Sequence, residues 1–149
     1  MEEIKFRLNH NDATIMANVC ERLYETIITK LEKKSEKNEE LELLWHEVKT
    51  SVKPLTAASC AKLITKITFN SKNLDPKDVL NSFLVYASHA QCPEGICWAV
   101  GHILWTLGSQ NEFGIAKNQV EKILHLCIKA IMYLVLTVSF DLTLFSTFT

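Results

Sequence analysis

Glycine and proline are scarce in this chain, at four and three in 149 residues. All-β folds reverse direction often and draw on both residues at their turns. The scarcity therefore argues against a sandwich or a barrel. Charge is scarce as well, but in one half only. Residues 79–149 hold seven of the 33 Asp, Glu, Lys and Arg residues, and residues 1–78 hold the other 26. Between Ala130 and Thr149 the sole charge is Asp141. Soluble surfaces normally carry interspersed charge throughout. A half without it must be covered by the rest of the chain, by another protein or by a membrane.

Further absences narrow the chemistry. Gly95, Gly101, Gly108 and Gly114 fit neither phosphate-binding pattern. The formal net charge is −1, and Lys30, Lys33, Lys34 and Lys37 are interleaved with Glu32, Glu36, Glu39 and Glu40. That run reads as a solvated helix end and connector, and with no basic stripe elsewhere nucleic acid is not an expected partner. The five cysteines Cys20, Cys60, Cys92, Cys97 and Cys127 are odd in number and scattered. Met1–Lys5 lacks the apolar core of a secretory leader, and no Asn-x-Ser/Thr sequon occurs. Reduced thiols in the cytoplasm are expected, with the nucleus as a second location.

His89, Cys92, Cys97 and His102 fall close together. Cys97 and His102, however, are five residues apart on an expected helix, about 140° around its axis. They would diverge, and no second close pair completes a tetrahedral set. No local motif supports a Cys–His nucleophile. The adjacent acids Glu39 and Glu40 lie in the solvated run, a poor place for acid–base work. The expectation is no enzyme, no metal, no cofactor and no small-molecule substrate.

What is present is helical spacing. Asn11 or Asp12 caps a first helix, on which Ile15, Val19, Leu23, Ile27 and Leu31 form one stripe widened by Met16, Cys20 and Tyr24. A second places Leu41, Leu44, Trp45, Val48 and Val52 on one face and ends before Pro54. A third runs from about Thr56 to Phe69 with Cys60, Leu63, Ile64 and Ile67 inward. Asp75-Pro76 starts a fourth, lined by Val79, Leu80, Phe83, Leu84 and Ala87. Cys92-Pro93-Glu94 starts a fifth, apolar nearly all round and so expected to be a buried central helix, with Gly108 as its stop. A sixth begins near Ile115, shows Val120, Ile123, Leu124, Cys127, Ile128 and Ile131, and runs into an apolar stretch without periodicity.

The segment from about 75 to 130 joins a short helix, a Pro-Glu start, Ile96-Cys97-Trp98-Ala99-Val100-Gly101-His102-Ile103-Leu104-Trp105-Thr106-Leu107-Gly108, a loop and a long apolar helix. It resembles one armadillo or HEAT-type repeat. The resemblance gives Ala99 and Gly101 the role of small residues that let neighbouring helices approach closely. It implies an α-solenoid fragment that binds partners on an extended surface. No second copy at a fixed period accompanies it, as a repeat array would require.

The sequence thus predicts an all-α domain of about six helices in an armadillo/HEAT-like right-handed stack, with a compact helical bundle as the alternative. Residues 1–129 form the domain, and residues 130–149 an apolar tail. That tail reads as a last core helix, an unnatural end or a membrane anchor. Its 20 residues match a membrane span, but Asp141 near the middle costs about 2.5–3.5 kcal/mol there. The expected function is a protein–protein interaction module, a scaffold or regulatory subunit. Its protein partner would cover the apolar faces of the last two helices. Trp98, Trp105, Ile123 and Ile131 are the candidate contact residues. The alternative is a tail-anchored regulator facing the cytosol, with membrane contact through residues 130–149.

Overall fold

A computed structural model describes residues 1–34, 37–110, 119–132 and 136. Among the described residues the chain is all-α, with seven helices and no strand. They are α1 (Glu2–Leu8), α2 (Ala13–Glu32), α3 (Glu39–Thr50), α4 (Pro54–Asn70), α5 (Pro76–Ala87), α6 (Glu94–Ser109) and α7 (119–132).

Local chemistry sets most of the helix starts. The Asp12 carboxylate accepts from the Thr14 and Ile15 amides at 2.8 and 3.4 Å and caps α2. Asn38 accepts from the Leu41 amide to cap α3, and Asp75 accepts from the Lys77 amide to cap α5. Pro54 and Pro76 sit in the first turns of α4 and α5, where the missing N–H has no helical partner to lose. Pro54 therefore opens α4 two residues before the expected Thr56. It also leaves Val52, expected on the face of the preceding helix, exposed in the connector beyond Thr50.

The helices lie in two rows. α2, α4 and α6 run side by side, α3 and α5 lie behind them, and α1 leans on α2. α4 is the shared wall: it packs against α2, α3, α5 and α6. Cys60, Ala61, Ile64 and Ile67 of α4 are fully buried with Phe83 of α5 and Ile96, Ala99 and Ile103 of α6. Each large apolar side chain taken from water contributes about 1.5–3 kcal/mol before entropy is subtracted. The buried hydroxyls of α4 are all partnered. Thr65 and Thr68 donate to the Ala61 and Ile64 carbonyls four residues back, at 2.9 and 2.7 Å. Thr56 reaches across to the Leu8 carbonyl at 3.0 Å and ties α1 to the core. The Lys30 ammonium meets Glu40 at 2.6 Å and joins α2 to α3. Burial works against the Glu40 charge, but the Lys30 hydrogen bond and the helix start outweigh it and hold the carboxyl below its ordinary range.

Three expectations need correction. The central helix is α4 and not α6, because α6 turns Trp98, His102 and Trp105 to solvent; its sequence is apolar all round because that outer stripe is aromatic instead of charged. Gly108 does not stop α6, which continues through it to Ser109. The close approach of helices rests on Gly95 and not on Gly101. A Cβ on Gly95 would stand 2.6 Å from the Ala58 Cα and 3.2 Å from the Ala57 carbonyl oxygen, whereas one on Gly101 would meet nothing within 4 Å. Ala99 does lie in the core, fully buried. A helix that the spacing did not predict, α1, precedes the expected first one.

Among the described residues no helix is long and apolar enough to cross a membrane. The expected helix start near Ile115, Asp141 and most of the 130–149 tail lie outside the described residues.

The glycine assignment gives opposite expectations for two similar substitutions. Gly95→Ala forces backbone apart at the α4–α6 crossing and should lower stability by about 1–3 kcal/mol. Gly101→Ala, on an open helix face, should raise it by about 0.5–1 kcal/mol. Urea unfolding of the two variants checks this, and equal effects at both positions would contradict the packing described.

Candidate functional site

The spacing of α6 decides what it shows to solvent. Ile96, Ala99, Val100, Ile103 and Leu107 face the core. Trp98, His102 and Trp105, four and three residues apart, therefore share the opposite face. Trp98 is 43% exposed and Trp105 is 77% exposed. Tryptophan carries a large apolar surface, and two exposed on one helix face are unusual for a surface that nothing covers.

The stripe is tied to α4. The Trp98 and His102 rings stack with centroids 5.0 Å apart and planes 9° from parallel. His102 also meets the edge of Phe69 at 5.9 Å. The Lys62 ammonium lies 5.5 Å from the Trp98 ring centre, and Lys66, one turn further along α4, lies 4.4 Å from the ring of Tyr24 on α2. Each such cation–π contact contributes about 0.5–1 kcal/mol at an exposed site. Together they make a ledge of alternating aromatic rings and cations across α2, α4 and α6. Its α2–α4 part is a groove of about 520 Å³ that includes Met16, Cys20, Tyr24, Leu55, Ser59 and Lys62.

α7 presents a second apolar stripe. Val120, Leu124, Cys127, Ile128 and Ile131 recur at helical spacing and are all exposed, Leu124 at 57% and Ile131 at 59%. The opposite side holds the helix in place. Leu126 is buried and Ile123 is half-buried against the core. The Lys129 ammonium donates to the Ala87 and Ala90 carbonyls at 2.8 and 3.3 Å. The Ala87 carbonyl ends α5, where a cation also meets the negative end of the helix dipole, and Ala90 lies in the turn just beyond.

Of the four candidate residues, Trp98, Trp105 and Ile131 are thus on the surface, while Ile123 packs inward. The sequence reading did not single out Lys62, Lys66, Phe69, Tyr24 or His102 for this surface. Their signal was present as four-residue spacings, Lys62 to Lys66 and Trp98 to His102. It became legible only once α4 and α6 were known to be neighbours.

Burial pushes the Cys20, Cys60, Cys92 and Cys97 thiols above their ordinary range, most strongly at Cys60. Neighbouring Cys127 and Glu94 add to the effect at Cys97. A raised thiol pKa leaves less thiolate to act as nucleophile or ligand. Among the described residues no three His, Cys, Asp or Glu side chains are placed to share a metal ion.

No family model, curated protein or solved structure matches the chain.

The two ties of α7 make its attachment testable. Lys129→Met keeps the apolar stem but strands the Ala87 and Ala90 carbonyls. It should destabilise the protein by about 1–2 kcal/mol, and the exposed Cys127 should not change its rate of alkylation. Denaturant unfolding and iodoacetamide labelling check the pair, and an unchanged unfolding midpoint would remove Lys129 from the account.

Proposed function

We propose that this chain is a non-enzymatic protein–protein interaction module, a scaffold or regulatory subunit, built as an armadillo/HEAT-like stack of three helix pairs. The pairs are α2 with α3, α4 with α5 and α6 with α7. The side-by-side order of α2, α4 and α6, with α3 and α5 behind, supports the stack. The module acts in the cytoplasm and needs no cofactor.

One observation carries the reading. The last pair leaves two apolar stripes open, Trp98 and Trp105 on α6 and Val120, Leu124, Ile128 and Ile131 on α7. Singly exposed apolar residues such as Phe6 or Val85 need no explanation, but stripes at helical spacing do. A partner covering them gains the burial of large side chains and spends part of that gain on lost motion. Aromatic anchors of the Trp105 kind dominate the energetics of many interfaces.

Site-specific photocrosslinking in cells tests this. A crosslinking residue at Trp105, Leu124 or Ile128 should give a discrete adduct with another polypeptide. The same residue at the exposed positions Glu25 and Lys49 should not. Adducts of equal yield at all five positions, or none at the first three, would contradict the reading.

A further inference from the structure

The ledge across α2, α4 and α6 carries information about the partner that the α7 stripe does not. We infer that this ledge binds an acidic peptide segment bearing an aromatic or large aliphatic residue. The inference rests on the interaction-module reading above and adds the partner's chemistry.

Charge complementarity is the first argument. Lys62 and Lys66 are exposed, one helical turn apart, and neither has a carboxylate within ion-pair distance among the described residues. Both are instead laid over aromatic faces, Lys62 on Trp98 and Lys66 on Tyr24. That contact fixes where the stem lies while leaving donors of the ammonium for a carboxylate. The acid of the same groove is Glu21 on the α2 wall, and it makes no ion pair with either lysine. On α6 the one charge is Glu94, exposed at the helix start four residues before Trp98. Lys62 and Lys66 are the cations at the centre of the ledge, and the acids Glu21 and Glu94, on α2 and at the start of α6, form no ion pair with either.

Apolar anchoring is the second. Leu55 flanks the lysines on α4 at 51% exposure, and Trp105 stands beyond them on α6. A segment crossing the three helices meets an apolar groove wall, then cations, then an open indole. This order suits a chain that alternates carboxylates with bulky side chains. Single-stranded nucleic acid also pairs cations with aromatic surfaces. Here, however, the face of Trp98 is already stacked on His102, and two lysines release few counterions. The peptide is the better fit.

The test is a random dodecapeptide phage library panned on the full-length chain, with a fluorescent oligothymidine measured in parallel. Selected peptides should be net acidic and carry an aromatic or leucine-like residue. Their affinity should fall about tenfold or more in Lys62→Glu/Lys66→Glu, and by a smaller factor in Lys62→Gln/Lys66→Gln. Trp105→Ala should weaken them as well, while Leu124→Asp on α7 should leave them unchanged. Circular dichroism confirms that the exposed lysine variants fold. Neutral or basic winners, winners indifferent to the lysine variants, no winners, or oligothymidine binding that depends on Lys62 and Lys66 would each overturn the inference. The crosslinking outcome at Leu124 and Ile128 stands independently of all of these, so failure here is distinguishable from failure of the interaction-module reading.

Discussion

The crossing of α4 and α6 at Gly95 and Ala58 is the constraint on which the rest of the molecule depends. Backbone meets backbone there, with room for no more than a hydrogen on Gly95. Once that contact is made, the rotation of α6 about its axis is fixed. The 3.6-residue period then sends Ile96, Ala99, Val100, Ile103 and Leu107 into the core and turns Trp98, His102 and Trp105 out. The exposed aromatic stripe is therefore a geometric result of the close backbone contact at Gly95. A different small residue at the crossing would present a different face of the same helix.

α4 supplies the other half of that arrangement. It is walled by four neighbours, and its inward hydroxyls bond to carbonyls of its own turns or of α1, so its burial leaves no stranded polar group. Its remaining narrow strip of surface carries Lys62 and Lys66, which find aromatic rings on either side, on α6 and on α2. The same helix thus holds the core together and furnishes the cations of the ledge. α7 is attached differently. Leu126 and Ile123 pack inward and Lys129 plugs the end of α5, while the outer stripe of that helix remains apolar and open. Stability and surface are separated in the fold: the first rests on the buried faces of α2 to α6, the second on the outer sides of α2, α4, α6 and α7.

Much of this was legible in the sequence, because capping and apolar spacing are local. Asp75 and Pro76 marked a helix start that the structure has, Asp12 is the cap of the two candidates Asn11 and Asp12, and Val79, Leu80, Phe83, Leu84 and Ala87 all face the core as their spacing required. The α1 helix went unread because seven residues with a single buried side chain, Leu8, give no stripe to see. The burial of α6 was misread for a related reason. Periodicity separates apolar from polar faces, and tryptophan at the outer positions erased the contrast. The repeat resemblance pointed to Ala99 and Gly101, and the tight approach at Gly95 stayed hidden because it is a relation between two helices, invisible along one. The ledge was hidden in the same way. Tyr24, Lys62, Lys66, Phe69, Trp98 and His102 come from three helices, and only the α2–α4–α6 order brings them into one surface.

A rigid, α4-centred core carries an apolar helix, α7, held at few points and open on its outer side. Native-state amide hydrogen exchange resolved by residue tests this directly. The α4 amides, such as those of Ile64 and Ile67, should exchange only through global unfolding, while α7 amides around Leu124 and Ile128 should exchange through a local opening of distinctly lower free energy. Equal protection in α4 and α7 would make α7 an integral part of the core and contradict the claim.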